Sequence, residues 1–333
     1  MTIPHSMKKT NLDYQPVHTT LDKDNNTTQN NYSTRKKFFL IGGDIHSKRT
    51  SNSTTDTFYI GNYVNNKKNG QGKLILGDHN VYEGNFKNGE YDGIGLYKNK
   101  NYIYKGGFIA GKKNGTGKLE DLINKSVYEG EFKNDHKDGY GVEKYIDGSV
   151  YKGHFKEGLK DGKGTLTLKG ENNYVYTGEF KKNKICGKGR FKWDNKKEYF
   201  GEWNNNKISG FGILIEDNVK HVGYFEDDKK QGYGASFYPN QSFVLLGKWE
   251  NDLINGPSMI YSLTNNKDID LDNEKIVIMD KDNINNSDLN EEELFEIRSN
   301  NEYKDKIKIF REKLIPEYIN SVNNIQNDNE LIF

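Results

Sequence analysis

Proline and cysteine are nearly missing from this sequence, which has five prolines and one cysteine among 333 residues. A single cysteine, Cys186, permits no disulfide within the chain, which is compatible with a reducing compartment. No apolar run approaches the length of a membrane-spanning helix. The first ten residues lack the apolar core of a signal peptide, and Thr2 stands where N-myristoylation needs glycine. We therefore expect a cytoplasmic protein, located at the cytoskeleton, at an axoneme or on the cytoplasmic face of a membrane.

Aliphatic residues are also scarce, because all hydrophobic residues together make up only 33% of the chain. Aromatic residues reach 13%, with 22 tyrosines and 17 phenylalanines, and glycine occurs 35 times. Aromatic rings must therefore supply much of the buried apolar surface.

Catalytic and metal-binding motifs are missing as well. The seven histidines are scattered, and neither HExxH nor CxxC occurs. The segments 268–273 and 280–291 faintly resemble calcium loops, but the first has Met279 at position 12 and the second has Asn285 where glycine is needed. The glycine-rich GLKDGKGT (158–165) lacks the spacing and ending of a phosphate-binding P-loop. We expect no enzyme activity, no cofactor and no metal.

What the sequence does contain is a repeat of the form aromatic-x-Gly-x-aromatic. Its central glycines recur every 22 to 25 residues, from Gly61 to Gly247. Alternation places both aromatics and the glycine on one face of a β-strand. The aromatics predicted to be structural are Tyr82, Phe86, Tyr104, Phe108, Tyr128, Phe132, Tyr151, Phe155, Tyr176, Phe180, Tyr199 and Trp203.

A second glycine pattern follows at a fixed distance. Nine residues after each central glycine stands another glycine, and in the first eight repeats a GxG pair results. The fifth residue after each central glycine is always Gly, Asn or Asp, which tolerate positive φ and predict a turn. We therefore predict a hairpin in which the second aromatic faces the first glycine of GxG, and the central glycine faces the second. The glycines predicted to be structural include Gly84, Gly93, Gly95, Gly130, Gly139, Gly141, Gly153, Gly162 and Gly164.

The pattern YxGxFxxGxxxGxG resembles the MORN repeat (membrane occupation and recognition nexus), in nine copies over residues 59–258. The resemblance implies an all-β fold, namely a single-layer antiparallel sheet of consecutive β-hairpins forming an elongated ribbon. It also implies a non-catalytic scaffold that binds protein partners in a cytoskeletal, axonemal or membrane-apposed complex. His221 and Leu245 replace the first aromatic, and Ser258 replaces the last glycine, so we expect the final repeats to act as a cap.

Lysines cluster just beyond the predicted turns. A solvated edge that discourages aggregation is one interpretation. The alternative function is a peripheral membrane module that binds anionic phosphoinositide headgroups. Nucleic acid is not an expected partner, because acidic residues are interspersed. The candidate residues for an anionic partner are Lys67, Lys68, Lys112, Lys113, Lys137, Lys160, Lys184, Lys207, Lys229 and Lys230.

The flanking segments differ from the repeats, which we place at 57–262. Residues 1–56 are polar and predicted to be mostly disordered, except for a possible strand at 38–43. Residues 263–333 form an acidic tail with a strand at Lys275–Met279 and helices at about 288–298 and 301–320. The second helix is predicted either to cover the edge of the last hairpin or to bind a partner. We also expect a homodimer that forms through the C-terminal end.

Overall fold

The computed structural model describes residues 48–50, 57–77, 79–170, 173–264, 268–280, 282–285, 289 and 291–317. The predictions for residues 1–47 and 51–56, including the strand at 38–43, lie outside the described residues. The chain divides into two compact units between Gly141 and Val142.

In the first unit, consecutive strands from β1 to β8 pair antiparallel. The strands are β1 (Lys48–Thr50), β2 (Thr57–Val64), β3 (Lys67–Leu76), β4 (Asn80–Lys87), β5 (Glu90–Lys98), β6 (Tyr102–Ile109), β7 (Lys112–Asp121), β8 (Ser126–Lys133) and β9 (His136–Lys144). The boundary between the two units lies within β9.

The second unit continues with the same kind of hairpin. Its strands are β10 (Val150–Lys156), β11 (Leu159–Leu168), β12 (Tyr174–Lys181), β13 (Lys184–Lys192), β14 (Lys197–Asn204), β15 (Lys207–Glu216), β16 (Val219–Glu226), β17 (Lys229–Tyr238), β18 (Phe243–Glu250), β19 (Leu253–Thr264), β20 (Asp268–Asp280) and β21 (Asn283–Asn285). A 3₁₀ turn (Pro239–Gln241) precedes β18. Helices α1 (Glu291–Ser299) and α2 (Asn301–Ile309) follow, and α2 continues as a π-helical turn, Phe310–Leu314. The predicted fold class, an open antiparallel sheet of consecutive hairpins with a short C-terminal helical segment, is confirmed.

The hairpin turns explain the choice of residues at the fifth position. In the β4–β5 hairpin, Asn88 (φ +53°) and Gly89 (φ +94°) both adopt the left-handed region. Two such residues define a type I′ turn, whose twist matches that of the flanking strands. The fifth residue has positive φ in every one of the nine hairpins, which confirms the turn prediction.

The predicted register is half right. Gly84 lies opposite Gly95, as predicted for the central glycine and the second glycine of GxG. The predicted pairing of the second aromatic with the first glycine of its own GxG is wrong, because Phe86 faces Tyr91. A β-bulge gives the second strand two extra residues between these pairs, and Gly93, with φ +100°, lies in that bulge. Gly93 is therefore needed for the bulge of its own hairpin and not to make room for Phe86, and it lies opposite the second aromatic of the next repeat, Phe108.

The hairpins extend past the ninth repeat. The predicted strand Lys275–Met279 lies within β20, which pairs with β19 and then turns into β21. The turn residue Asp282 has φ +71°, like the turn residues of the repeats. The final repeat is therefore followed by another hairpin, although its strands lack the aromatic-glycine pattern.

Candidate functional site

The sheet has two faces with different residues. We call the face that carries the repeat aromatics the ring face and the opposite one the back face. All twelve aromatics that were predicted to be structural are at most 5% exposed. The ring of Tyr82 packs edge-on against Phe86 of its own repeat at 5.0 Å and against Phe108 of the next at 5.2 Å. This arrangement of centroids is favourable for aromatic pairs and links neighbouring repeats.

The tyrosines of the ring face also explain the glycines beneath them. A Cβ added to Gly84 would lie 2.5 Å from the Cα of Gly95, and one added to Gly95 would lie 2.5 Å from the Tyr82 ring. The Tyr82 hydroxyl donates to the Asn85 carbonyl at 2.8 Å. Equivalent bonds are made by Tyr59, Tyr104, Tyr128, Tyr151, Tyr176 and Tyr199.

Burial keeps these phenols neutral. Desolvation, with a smaller contribution from Asp135, raises the pKa of Tyr104 to about 12. The pKa values of Tyr176 and Tyr199 are also raised, chiefly by burial. The motif residues of the ring face therefore have a structural role.

Neighbouring repeats are joined at their turns. The side chain of Asn206, the fifth residue of its repeat, accepts a hydrogen bond from the Ile185 amide at 2.7 Å, and the Asn206 amide donates to the Ile185 carbonyl at 3.0 Å. We call this pair of bonds the turn staple. The same acceptor role is played by Asp135, Asn183, Asp228, Asp252 and Asp282. Positive φ is therefore common to all these turn residues, whereas the side-chain acceptor is supplied only where the residue is Asn or Asp and not at Gly89, Gly111 and Gly158.

The ten candidate lysines fall into two groups. The sixth residues after the central glycines are exposed at the turns, namely Lys67, Lys112, Lys184, Lys207 and Lys229. The seventh residues point to the ring face and are partly or fully buried, namely Lys68, Lys113, Lys137, Lys160 and Lys230. Burial lowers the pKa of Lys68 and of Lys230. The exposed group is the one placed to meet an anionic partner.

The lysines of the ring face lie over tyrosines. The Nζ of Lys137 is 5.0 Å from the centre of the Tyr128 ring, and that of Lys160 is 5.4 Å from the Tyr151 ring. Lys160 is only 4% exposed, so its methylene chain covers the ring beneath it. These lysines extend the packing of the ring face.

One repeat places a histidine at the tyrosine position. His221 is 2% exposed, and its ring lies edge-on to Phe225 and Trp249. Nδ1 lies 3.0 Å from the Ser236 hydroxyl, whereas Nε2 is buried without a hydrogen-bond partner. Burial, assisted by the charge of Lys230, lowers the pKa of His221 well below its usual value.

The back face of the last repeats was not predicted. Here, the directly paired residues are apolar: Val222, Ala235, Leu246 and Met259 are at most 1% exposed. Together with Phe237, Val244, Tyr261, Leu263 and Ile276, they form a cluster that includes Tyr303, Phe310 and Leu314 of the helical segment. The prediction that this helix covers the edge of the last hairpin is wrong, because it packs on the sheet face across several strands.

A signal for this surface exists in the sequence. The corresponding back-face positions of the early repeats hold charged residues, such as Lys73, Glu83, Lys105 and Lys118. Aligning the repeats by position shows isolated apolar residues such as Ile60 and Leu96 in the early repeats and an unbroken apolar run only in the last ones. The spacing of Tyr303, Phe310 and Leu314 indicated an amphipathic helix, but not the surface to which it binds.

The described part of the chain contains no group of three or more His, Cys, Asp or Glu side chains that could hold a metal ion. Its helices are all too short or too polar to cross a bilayer.

Comparison with known proteins identifies the repeat. The MORN-repeat family model matches eight tandem stretches: 59–81, 82–102, 104–121, 128–150, 151–170, 176–197, 199–215 and 221–243. The ninth predicted repeat lies beyond these matches, although β18 and β19 form the same kind of hairpin. No curated protein matches the sequence. The tandem matches coincide with the hairpins, their glycines and their rings, and the chain therefore belongs to the MORN-repeat family.

Proposed function

We propose that this protein is a non-catalytic scaffold that binds protein partners in a cytoskeletal, axonemal or membrane-apposed complex. MORN repeats are protein- and lipid-interaction repeats, and this provides the starting point. One observation carries the proposal further. The aromatic residues that the repeats share are buried, whereas large side chains that differ between the repeats, such as Ile94 (63% exposed) and Tyr140 (51% exposed), face solvent.

Exposed residues that vary from repeat to repeat favour selective recognition of a protein surface. Large exposed side chains contribute binding energy because they lose water on contact. A catalytic site would instead need several titratable groups converging in a cavity.

Proximity labelling in cells tests the scaffold proposal. The full chain is fused to a labelling enzyme and compared with a variant carrying Ile94→Lys and Tyr140→Glu, two exposed positions that leave the ring face intact. We expect a defined set of cytoskeletal or membrane-complex proteins that the variant labels less. Labelling by the wild type that equals labelling by the free enzyme would contradict the proposal.

Lipid binding is the second candidate, supported by the exposed lysines at the turns. Each basic residue near an anionic membrane surface contributes about 1 kcal/mol. One of them is neutralised, since Lys207 pairs with Asp227 at 3.0 Å, whereas Lys184 and Lys229 donate only to the neutral side chains of Asn205 at 3.4 Å and Asn251 at 3.2 Å. This candidate therefore depends on Lys67, Lys112, Lys184 and Lys229 for positive charge.

Co-sedimentation with phosphoinositide vesicles separates the two candidates. Charge reversal of Lys67, Lys112 and Lys184, three of these four lysines, should weaken binding strongly, and rising salt should weaken it steeply. Reversal of Lys100, Lys125 and Lys169, which are exposed in the connections between repeats, is the matched control with the same change of net charge. Equal loss for both triple variants would indicate non-specific attraction.

We also propose a homodimer that forms through residues beyond about 240. The last strand, β21, pairs with only three of the thirteen residues of β20 in the described structure, and an unpaired strand edge is a site at which chains pair. Light scattering of the full chain at tens of micromolar should give the mass of a dimer. A monomer under those conditions would rule the dimer out.

A further inference from the structure

The apolar back face of the last repeats is covered mainly by α2 and its π-helical turn, while Leu294 and Ile297 of α1 pack against the rim and are only partly buried. Phe310 and Leu314 are fully buried, and the Phe310 ring stacks on Tyr261 with centroids 5.2 Å apart. Tyr303, at the other end of the helix, is 8% exposed. The three anchors are seven and four residues apart, which places them on one side of a helix.

Polar contacts at both ends fix the direction of this helix. Near its start, the Tyr233 hydroxyl donates to Glu302 at 3.1 Å, and Lys248 pairs with Glu302 at 3.7 Å. Near its end, Lys313 donates to the Tyr224 hydroxyl at 2.6 Å, and its Nζ lies 4.3 Å from the centre of the Phe211 ring. The surface thus presents an apolar centre with a basic group at one end and aromatic rings at the other.

The helix is held much less firmly than the strands. It spans nine residues and one π-helical turn, a length at which isolated helices are unstable in water. No residue of α1, the preceding helix, is buried. The repeats are held by their own backbone ladders and turn staples, so release of α2 leaves those bonds in place.

A buried amine weakens the contact further. Lys306 is 4% exposed and lies between α2 and the sheet, where its Nζ donates to the Pro257 carbonyl at 3.1 Å. Removing an ammonium group from water is unfavourable, and burial lowers the pKa of Lys306 although the charge of Glu302 and the Tyr233 ring, 5.8 Å from Nζ, compensate in part. An apolar side chain at position 306 would hold α2 on the sheet more firmly than lysine does.

We propose that the back face of the last repeats is a helix-binding surface, which α2 fills within the chain and which an amphipathic helix of a partner protein fills after displacing α2. The partner helix carries two aromatic residues and a leucine with the spacing of Tyr303, Phe310 and Leu314. It also carries a carboxylate near its start, to face Lys248, and an amine near its end, to face Tyr224. The inference deepens the proposed scaffold function by naming a class of partner.

A peptide of residues 299–317, labelled with a fluorophore, is the probe. In the full-length wild type, α2 competes with it at an effective concentration of about millimolar, so anisotropy should show weak binding. The full-length variant carrying Phe310→Ser and Leu314→Ser releases α2 and should bind the peptide at least about tenfold more tightly. A peptide carrying the same two substitutions should not bind. The variant Phe295→Ser, at an α1 position that is 72% exposed, should bind like the wild type.

A second variant tests the inference in the opposite direction. Lys306→Met removes the buried amine, so it should hold α2 more firmly, weaken peptide binding and slow hydrogen exchange of residues 301–314 by about tenfold or more. If the double serine variant fails to fold, this variant decides the question, and unchanged or faster exchange overturns the proposal.

Three further results would also overturn it. The first is a folded double serine variant that binds the peptide no more tightly than the wild type does. The second is the conversion of a wild-type dimer into monomers by the two serine substitutions, which would make a second copy of the chain the occupant. The third is a substituted peptide that binds as well as the original. None of these results touches the exposed surfaces of the earlier repeats, so failure here leaves the scaffold proposal standing.

Discussion

At the scale of single residues, the rings of the ring face carry most of the stability. Phe155 is 4% exposed and lies edge-on to Tyr151 with centroids 5.1 Å apart. Replacing it with alanine should lower the free energy of unfolding by about 3–5 kcal/mol, since a cavity replaces the ring. Urea denaturation measures the loss. The control Lys156→Ala, at the next and exposed residue, should change stability by less than about 0.5 kcal/mol.

Gly162 gives a different result from the one that the sequence suggests. A Cβ at this position would meet the side chain of His154 at 3.2 Å, not the ring of Phe155, and its φ is +105°. We therefore expect Gly162→Val to destabilise the chain through backbone strain. Adding His154→Gly, which removes the Cβ at 3.2 Å, should not restore stability. Full rescue by His154→Gly would show that crowding, not backbone strain, is responsible.

His221 makes stability depend on pH. Because burial lowers its pKa in the folded state, the unfolded chain binds more protons once pH falls below the usual histidine value of about 6.5. Stability should therefore be present above that pH and be lost progressively below it. Urea midpoints measured from about pH 7.5 down to about pH 5 give the slope. His221→Tyr, which restores the residue of the other repeats, should flatten it, and an unchanged slope would assign the loss to other groups.

At the scale of the hairpin, turn chemistry can be adjusted. Ala110 has φ +47°, a conformation that costs alanine more than asparagine. Ala110→Asn should stabilise the chain by about 0.5–1 kcal/mol, as judged by the denaturant midpoint. Asn88 occupies the same position in the preceding hairpin with φ +53°, so Asn88→Ala should cost a similar amount. If Ala110→Asn and Asn88→Ala changed the free energy of unfolding in the same direction, the argument from positive φ would be contradicted.

The turn staple can be tested separately from turn strain. Asn206→Gly keeps positive φ accessible but removes the oxygen that accepts from the Ile185 amide. We expect a loss of about 1 kcal/mol, since the amide loses its partner. Asn205→Gly, at the adjacent turn residue, is the control and should be nearly neutral. Equal effects would mean that glycine flexibility, not the hydrogen bond, decides the result.

The sequence predicted the turns better than the strand register. Turn residues reveal themselves because few residue types tolerate positive φ, so Gly, Asn and Asp recur at the fifth position. Gly93 was assigned to the right hairpin but given the wrong role. A bulge and a ring neighbour both require glycine, so residue identity cannot separate them. The packing of α2 on the sheet was not predicted. The spacing of apolar residues identifies the apolar side of a helix, but it does not show which surface of the sheet that side packs against.

At the scale of the whole molecule, apolar packing is uneven. In the described residues from 57 to 141, the buried hydrophobic side chains all belong to the ring face. In the later unit, the last repeats are packed on both faces, because α2 covers the back face. Native-state hydrogen exchange should therefore be slowest in β16 to β19 and faster in β2 to β5, since local stability follows burial. Uniform protection would contradict this expectation.

The turn staple also makes folding of the array depend on the order of synthesis. Where the turn residue is Asn or Asp, its side chain completes the hairpin that precedes it in the chain. During synthesis, such a hairpin therefore lacks this acceptor until the next turn has left the ribosome. The last acceptor of the described chain is Asp282, which lies outside the aromatic-glycine pattern and accepts from the Ile254 amide at 2.9 Å. The ninth repeat is thus completed only by a residue that is made after all nine repeats.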